Sequence, residues 1–96
     1  MRGIPLVSHA NHAAVHERAW KSTFDPLLSA RGQPPFFHQD YLRYVDGKPR
    51  YDGVRSFVRS RGLELPEGSS NDAPSAETVH GVGNRKNRRF LELIEE

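Results

Sequence analysis

Residues 40–62 read DYLRYVDGKPRYDGVRSFVRSRG, and this stretch decides the fold. Its apolar residues recur at helical, not strand, intervals. Tyr41, Leu42 and Val45, preceded by Phe37, predict one short helix over about His38 to Asp46, which Gly47 stops. Pro49 then opens a second helix over roughly 50–61, whose Tyr51, Val54, Phe57 and Val58 share a face, and Gly62 ends it. No alternating strand pattern occurs here or elsewhere.

Working outward, residues 9–24 predict a helix capped by Ser8 or Asn11, with Ala13, His16, Trp20 and Phe24 on one face. Proline in a helix interior costs about 3 kcal/mol. Asp25-Pro26 therefore predicts a kink or a restart, with Asp25 as the new cap and Leu27 and Leu28 continuing the apolar face to Arg31, before Gly32. Gln33-Pro34-Pro35 is a rigid connector. Downstream, Leu63 to Pro66 is extended and Glu67 to Ser75 (EGSSNDAPS) is a turn-rich loop with nothing to bury. A last helix is expected over about 77–95, with a bend near Gly81 and Gly83 and with Val79, Val82, Phe90 and Ile94, together with Leu91 and Leu93, on its buried side. The expected fold is all-α, a small bundle of about four short helices.

Ninety-six residues with 35% hydrophobic content fit one small domain, which buries only about 60–65% of its unfolded surface. No apolar run is long enough to span a bilayer, and Met1 to Val7 is too short for a signal-peptide core. The absence of Cys removes disulfides and thiolate chemistry and fits a reducing, cytoplasmic setting. No Gly-x-Ser-x-Gly elbow is present, and Gly81-Val82-Gly83 follows no strand, so it is not a phosphate loop.

The net charge of +2 conceals segregation. Residues 48–62 carry five basic residues and one acidic, residues 63–84 carry four acidic and no basic, and residues 85–96 carry four basic and three acidic. Two basic clusters thus flank an acidic loop: Lys48, Arg50, Arg55, Arg59 and Arg61, then Arg85, Lys86, Arg88 and Arg89. Converging cations suit an anion, either a phosphorylated small molecule or a nucleic-acid backbone. The plainer alternative is two solvated helix faces. His9, His12 and His16 stand at i, i+3 and i+7, so one helical face could present three imidazoles to zinc or nickel; the signal is weak because helices show such spacings by chance.

The strings HAAVHERAWK (residues 12–21), YVDGKPRYDGVRSF (44–57), LPEG (65–68) and ETVHGVGNRKNRRFLELI (77–94) together resemble the helical cap domain of haloacid-dehalogenase-type phosphohydrolases. The similarity is to the β-phosphoglucomutase-like branch in its actinobacterial form, and it covers about residues 11–96. The resemblance implies residues 9–96 as the cap and 1–8 as a hinge remnant. In the complete enzymes it implies a Rossmann-like core with a nucleophilic Asp, a proton-shuttling Asp and Mg2+, over which the cap closes to exclude water and read the leaving group.

The same comparison places His16 at the cap histidine that reaches the active site, and Lys86-Asn87 at the pair that holds distal polar or phosphate groups, with Arg85 adjoining. For the cap's phosphate-gripping arginine, Arg55 is the nearest match and Arg50 competes. Against the pattern, Ile4 and Leu6 stand where the two aspartates of the nucleophile motif would lie, and Asn11-His12 replaces Asp-Thr. The chain is therefore expected to act as a cap without a catalytic core. It would recognise a phosphorylated sugar or similar ester weakly, need no cofactor of its own, and give no turnover. A second expectation is a small basic helical module that binds nucleic acid, although its aromatic residues read as core. A third is self-association into a dimer through hinge surface around Ile4 to Val7 and Leu93-Ile94.

Overall fold

The computed structural model describes residues 12–95. Within them the chain forms helix α1 (His12–Ala30), a short α2, helix α3 (Arg50–Ser60) and helix α4 (Val79–Ile94). The α2 element is a single α-turn (His38–Asp40) that runs on as a π-helical turn (Tyr41–Val45). No strand occurs among the described residues. The expected all-α bundle is present. The expectations placed on Ile4, Leu6, Ser8, His9 and Asn11 fall outside the described residues.

Helix α1 does not restart at Pro26 but continues through it. Asp25, expected as a new cap, is used across the fold instead. Its carboxylate accepts the Phe36 amide at 2.8 Å and pairs with Lys21 at 3.0 Å, while Lys21 Nζ donates to the Phe36 carbonyl at 2.9 Å. This clamp, with Phe24, Leu27 and Leu28 buried on either side of the proline, holds the helix where local propensity would break it. The buried Thr23 hydroxyl is satisfied by the Ala19 carbonyl at 2.8 Å.

The core is aromatic. Phe24 lies stacked 5.1 Å from Trp20 and tilted 4.4 Å from Phe57, and Phe36 meets Phe57 edge-on at 5.0 Å. Tyr41, Val45, Val54, Val58, Val79 and Val82 fill in around them. The buried connector residue is Phe36, and Phe37 is exposed. The π-turn explains how α2 contributes. The Asp46 amide reaches back five residues to the Tyr41 carbonyl at 2.9 Å, and the wider turn points both Tyr41 and Val45 inward, leaving Leu42 outside.

Arg61 closes the far end. It donates to the Pro34 and Pro35 carbonyls and to Asp40, each at 2.8 Å, and lies over the Phe57 ring. At the end of α4, Leu93 is buried while Ile94 and Leu91 are exposed.

Helix α4 begins at Val79, two residues later than expected, because the Thr78 hydroxyl caps it by accepting the Gly81 amide at 2.9 Å. Its glycines do not introduce a break. A Cβ on Gly81 would stand 2.3 Å from the Ala76 carbonyl oxygen, and one on Gly83 would stand 2.7 Å from the Tyr51 ring. They are close-approach points for the incoming loop and for α3. Residues 67–75 are likewise pinned. Asn84 donates to the Ser70 and Asp72 carbonyls, Arg85 donates to the Pro74 carbonyl at 2.6 Å, and His80 bonds the Glu67 carbonyl.

Gly81→Ala would raise intrinsic helix propensity by about 1 kcal/mol. We expect it instead to destabilise the fold by about 1–3 kcal/mol, as overpacking does. Urea unfolding followed by helical circular dichroism reads the sign directly.

Candidate functional site

A cleft of about 540 Å³ opens between α1, the α2–α3 connection and α4. Two turns of α1 supply Ala13, His16 and Trp20; Tyr41 and Val45 come from the π-turn; Asp46, Gly47 and Lys48 come from the connection; Arg50 opens α3; and Lys86 and Asn87 come from α4. Gly47, at φ +79°, makes the tight turn that brings Lys48 and Arg50 back over the cleft.

Lys86 is its centre. The side chain is only 6% exposed, and no ion pair to it occurs among the described residues. Its Nζ sits 2.8 Å from His16 Nδ1 and 5.0 Å from the centres of both the Trp20 and Phe90 rings. Burial, with Arg50 nearby as a second positive charge, brings its pKa down to about 8. His16 is held by stacking on Phe90, with ring centres 4.1 Å apart and 12° between planes. Its pKa is lowered first by burial and then by the Lys86 charge, with Asp46 opposing. A neutral imidazole that accepts at Nδ1 carries its proton on Nε2.

Arg50 is poorly satisfied. Its Nη2 reaches the Tyr51 hydroxyl and Asn84 Oδ1 only at 3.4 and 3.5 Å, and its Nε is buried with no partner among the described residues. Tyr51 and Asn84 are themselves joined at 2.7 Å and rest on the loop carbonyls, so the guanidinium is framed but not neutralised.

The structure thus gathers His16, Arg50, Lys86 and Asn87 and leaves two of the expected residues elsewhere. Arg55 binds Asp52 at 2.6 Å and Glu67 on the side of α3 that faces a second depression. Arg85 is occupied by the Pro74 and Ala76 carbonyls and by Glu77. Sequence matching ranked Arg55 first and did not single out Lys48, Asp46 or Gly47. The signal for these was the DGKPR string, whose glycine and proline fold Arg50 back toward α1. The described residues include no group of three or more His, Cys, Asp or Glu able to hold a metal ion. The three-imidazole reading needs His9, which lies outside the described residues, and the described cleft lining, with Asp46 as its one carboxylate, does not fit Mg2+. No helix of the described residues is long and apolar enough to cross a membrane.

These features define a small helical domain with a cation-rich cleft, and comparison with known proteins supplies its relatives. No family model matches the chain. A β-phosphoglucomutase of Mycobacterium bovis (strain ATCC BAA-935 / AF2122/97) is 48% identical over 89 residues, which cover 85% of this chain and 34% of that protein. A β-phosphoglucomutase of Mycobacterium tuberculosis (strain CDC 1551 / Oshkosh) matches to the same extent. An uncharacterized glycosyl hydrolase of the same strain is 40% identical over 86 residues, 83% of this chain and 6% of that protein. This similarity fits a fragment of a β-phosphoglucomutase-like protein of the haloacid-dehalogenase type, and the helical fold fits a cap domain. It spans about a third of the length of the β-phosphoglucomutases it matches.

Burial of Lys86 has a sign that can be measured. Its folded pKa of about 8 lies below the ordinary lysine value of 10.5, so between these pH values the unfolded chain binds the extra proton. Stability therefore rises with pH from about 8 toward 10, by up to about 3 kcal/mol. Lys86→Met is expected to be more stable than the parent at pH 7 and to lose that rise, as read by urea midpoints across the pH series.

Proposed function

We propose that this chain is the substrate-recognising cap of a phosphohydrolase or phosphomutase, residues 9–96 forming the domain and 1–8 the hinge, and that its cleft takes a phosphorylated sugar or a similar phosphate ester. The observation that carries the proposal is the concentration of under-neutralised cationic groups on one cleft: Lys86 without an ion pair and Arg50 with an orphaned Nε, beside Lys48. A phosphate supplies the acceptors these groups lack. The Arg50 fork suits two phosphate oxygens, and Lys86 adds a short-range charge. The Asn87 amide and His16 imidazole suit sugar hydroxyls, against the wall made by Trp20.

In this proposal the cleft binds and orients but does not cleave, because the positions that match the family's nucleophile motif are Ile4 and Leu6. A complete family enzyme would supply the nucleophile and Mg2+ from its core, and the proposed setting is the cytoplasm. The basic clusters favour this ligand over a nucleic-acid backbone. Arg55, Arg61, Arg85 and Arg89 are already paired with Asp52 and Glu67, Asp40, Glu77 and Glu92, while Lys48, Arg50 and Lys86 meet in one concave site and Arg59 and Arg88 lie apart from it and from each other.

Titration of the amide spectrum with β-glucose 1-phosphate should show saturable shifts around the cleft, with a dissociation constant on the order of millimolar for a half-site. Arg50→Ala should weaken this by about ten-fold, the value of one charge-assisted contact, and Arg55→Ala should leave it unchanged. Loss of binding in Arg55→Ala with retention in Arg50→Ala would refute the assignment.

A further inference from the structure

We propose that Lys86 is a carbonyl-trapping amine, its Nζ presented to the cleft beside His16 so that an aldehyde entering there condenses with it to an imine. Three features of the geometry carry this. Lys86 is buried, yet it lines an open cleft that a small molecule can enter. Among the described residues the ammonium has no carboxylate partner, only the His16 nitrogen and the Trp20 and Phe90 ring faces, and the neutral amine is the nucleophilic form. A proton acceptor is already in place, since His16 Nδ1 stands 2.8 Å from Nζ on a ring locked against Phe90.

The step balances without an oxidant or reductant. The amine lone pair forms the C–N bond as the carbonyl π electrons move to oxygen, which takes up the first of the two protons that nitrogen gives up. His16 Nδ1 accepts the proton leaving nitrogen and returns it to the new hydroxyl, which departs as water while C=N forms. Hydrolysis reverses the sequence. The titratable and charged groups lining the cleft with this amine are His16 from α1, Tyr41 from the π-turn, Asp46 and Lys48 from the connection and Arg50 from α3, and His12 acts on His16. Lys86 forms no ion pair with Asp46. The inference goes beyond the phosphate-ester proposal and does not depend on it, because an uncharged carbonyl suffices.

The chain has three lysines, Lys21, Lys48 and Lys86, so reductive alkylation tests the idea cleanly. The intact chain is treated with propanal and cyanoborohydride at pH 7.5, and peptide masses are followed in time. Lys86 should alkylate at least about five-fold faster than Lys21 or Lys48, with a rate that rises through pH 8 and levels off near about pH 9, where its amine is largely neutral. His16→Phe, which preserves an aromatic ring to stack on Phe90, should slow Lys86 several-fold without slowing the others. Alkylation of Lys86 no faster than the other two lysines, in protein whose helical circular dichroism is intact, overturns the proposal. So does an unchanged Lys86 rate in His16→Phe. Propanal carries no charge, so either result is independent of whether the cleft binds phosphate esters.

Discussion

A lysine buried without a carboxylate is the constraint on which this structure turns. Lys86 is placed on the inner side of α4, between Trp20 and Phe90 and against His16. Such burial disfavours folding, and a small domain has little stability to offset it. The offset comes from the other side of Trp20, which stacks on Phe24 and through it joins Phe36 and Phe57. Trp20 belongs to both the core and the cleft. The same aromatic cluster that holds the helices together also fixes the floor of the cation site.

Much of this was legible from the residues. The helices and their stops follow from apolar spacing and from Gly32, Gly47 and Gly62, which all adopt the left-handed turn expected of terminating glycines. His16, Lys86 and Asn87, picked out by family resemblance, converge on one cleft although 70 residues separate His16 from Lys86.

What was not legible depends on contacts distant in sequence. Pro26 reads as a breaker, but Asp25 is engaged by the Phe36 amide eleven residues away, and that clamp overrides local propensity. Choosing Phe36 over Phe37, or Leu93 over Ile94, requires the neighbouring helix, since adjacent apolar residues satisfy the same periodicity. The π-turn leaves no periodic signature in five residues. Arg50 and Arg55 differ in role because Glu67 and Asp52 neutralise one and nothing neutralises the Nε of the other. The acidic loop resolves part of the charge segregation: Glu67 and Glu77 engage Arg55 and Arg85, while Lys48, Arg50 and Lys86 are left to the cleft.

The most direct measurement is the titration of the Lys86 side chain itself, followed by nuclear magnetic resonance with and without β-glucose 1-phosphate. The account predicts a midpoint near pH 8 in the free protein, moving upward when the phosphate supplies the missing negative charge. A Lys86 that titrates as an ordinary lysine and is indifferent to the phosphate ester would contradict it.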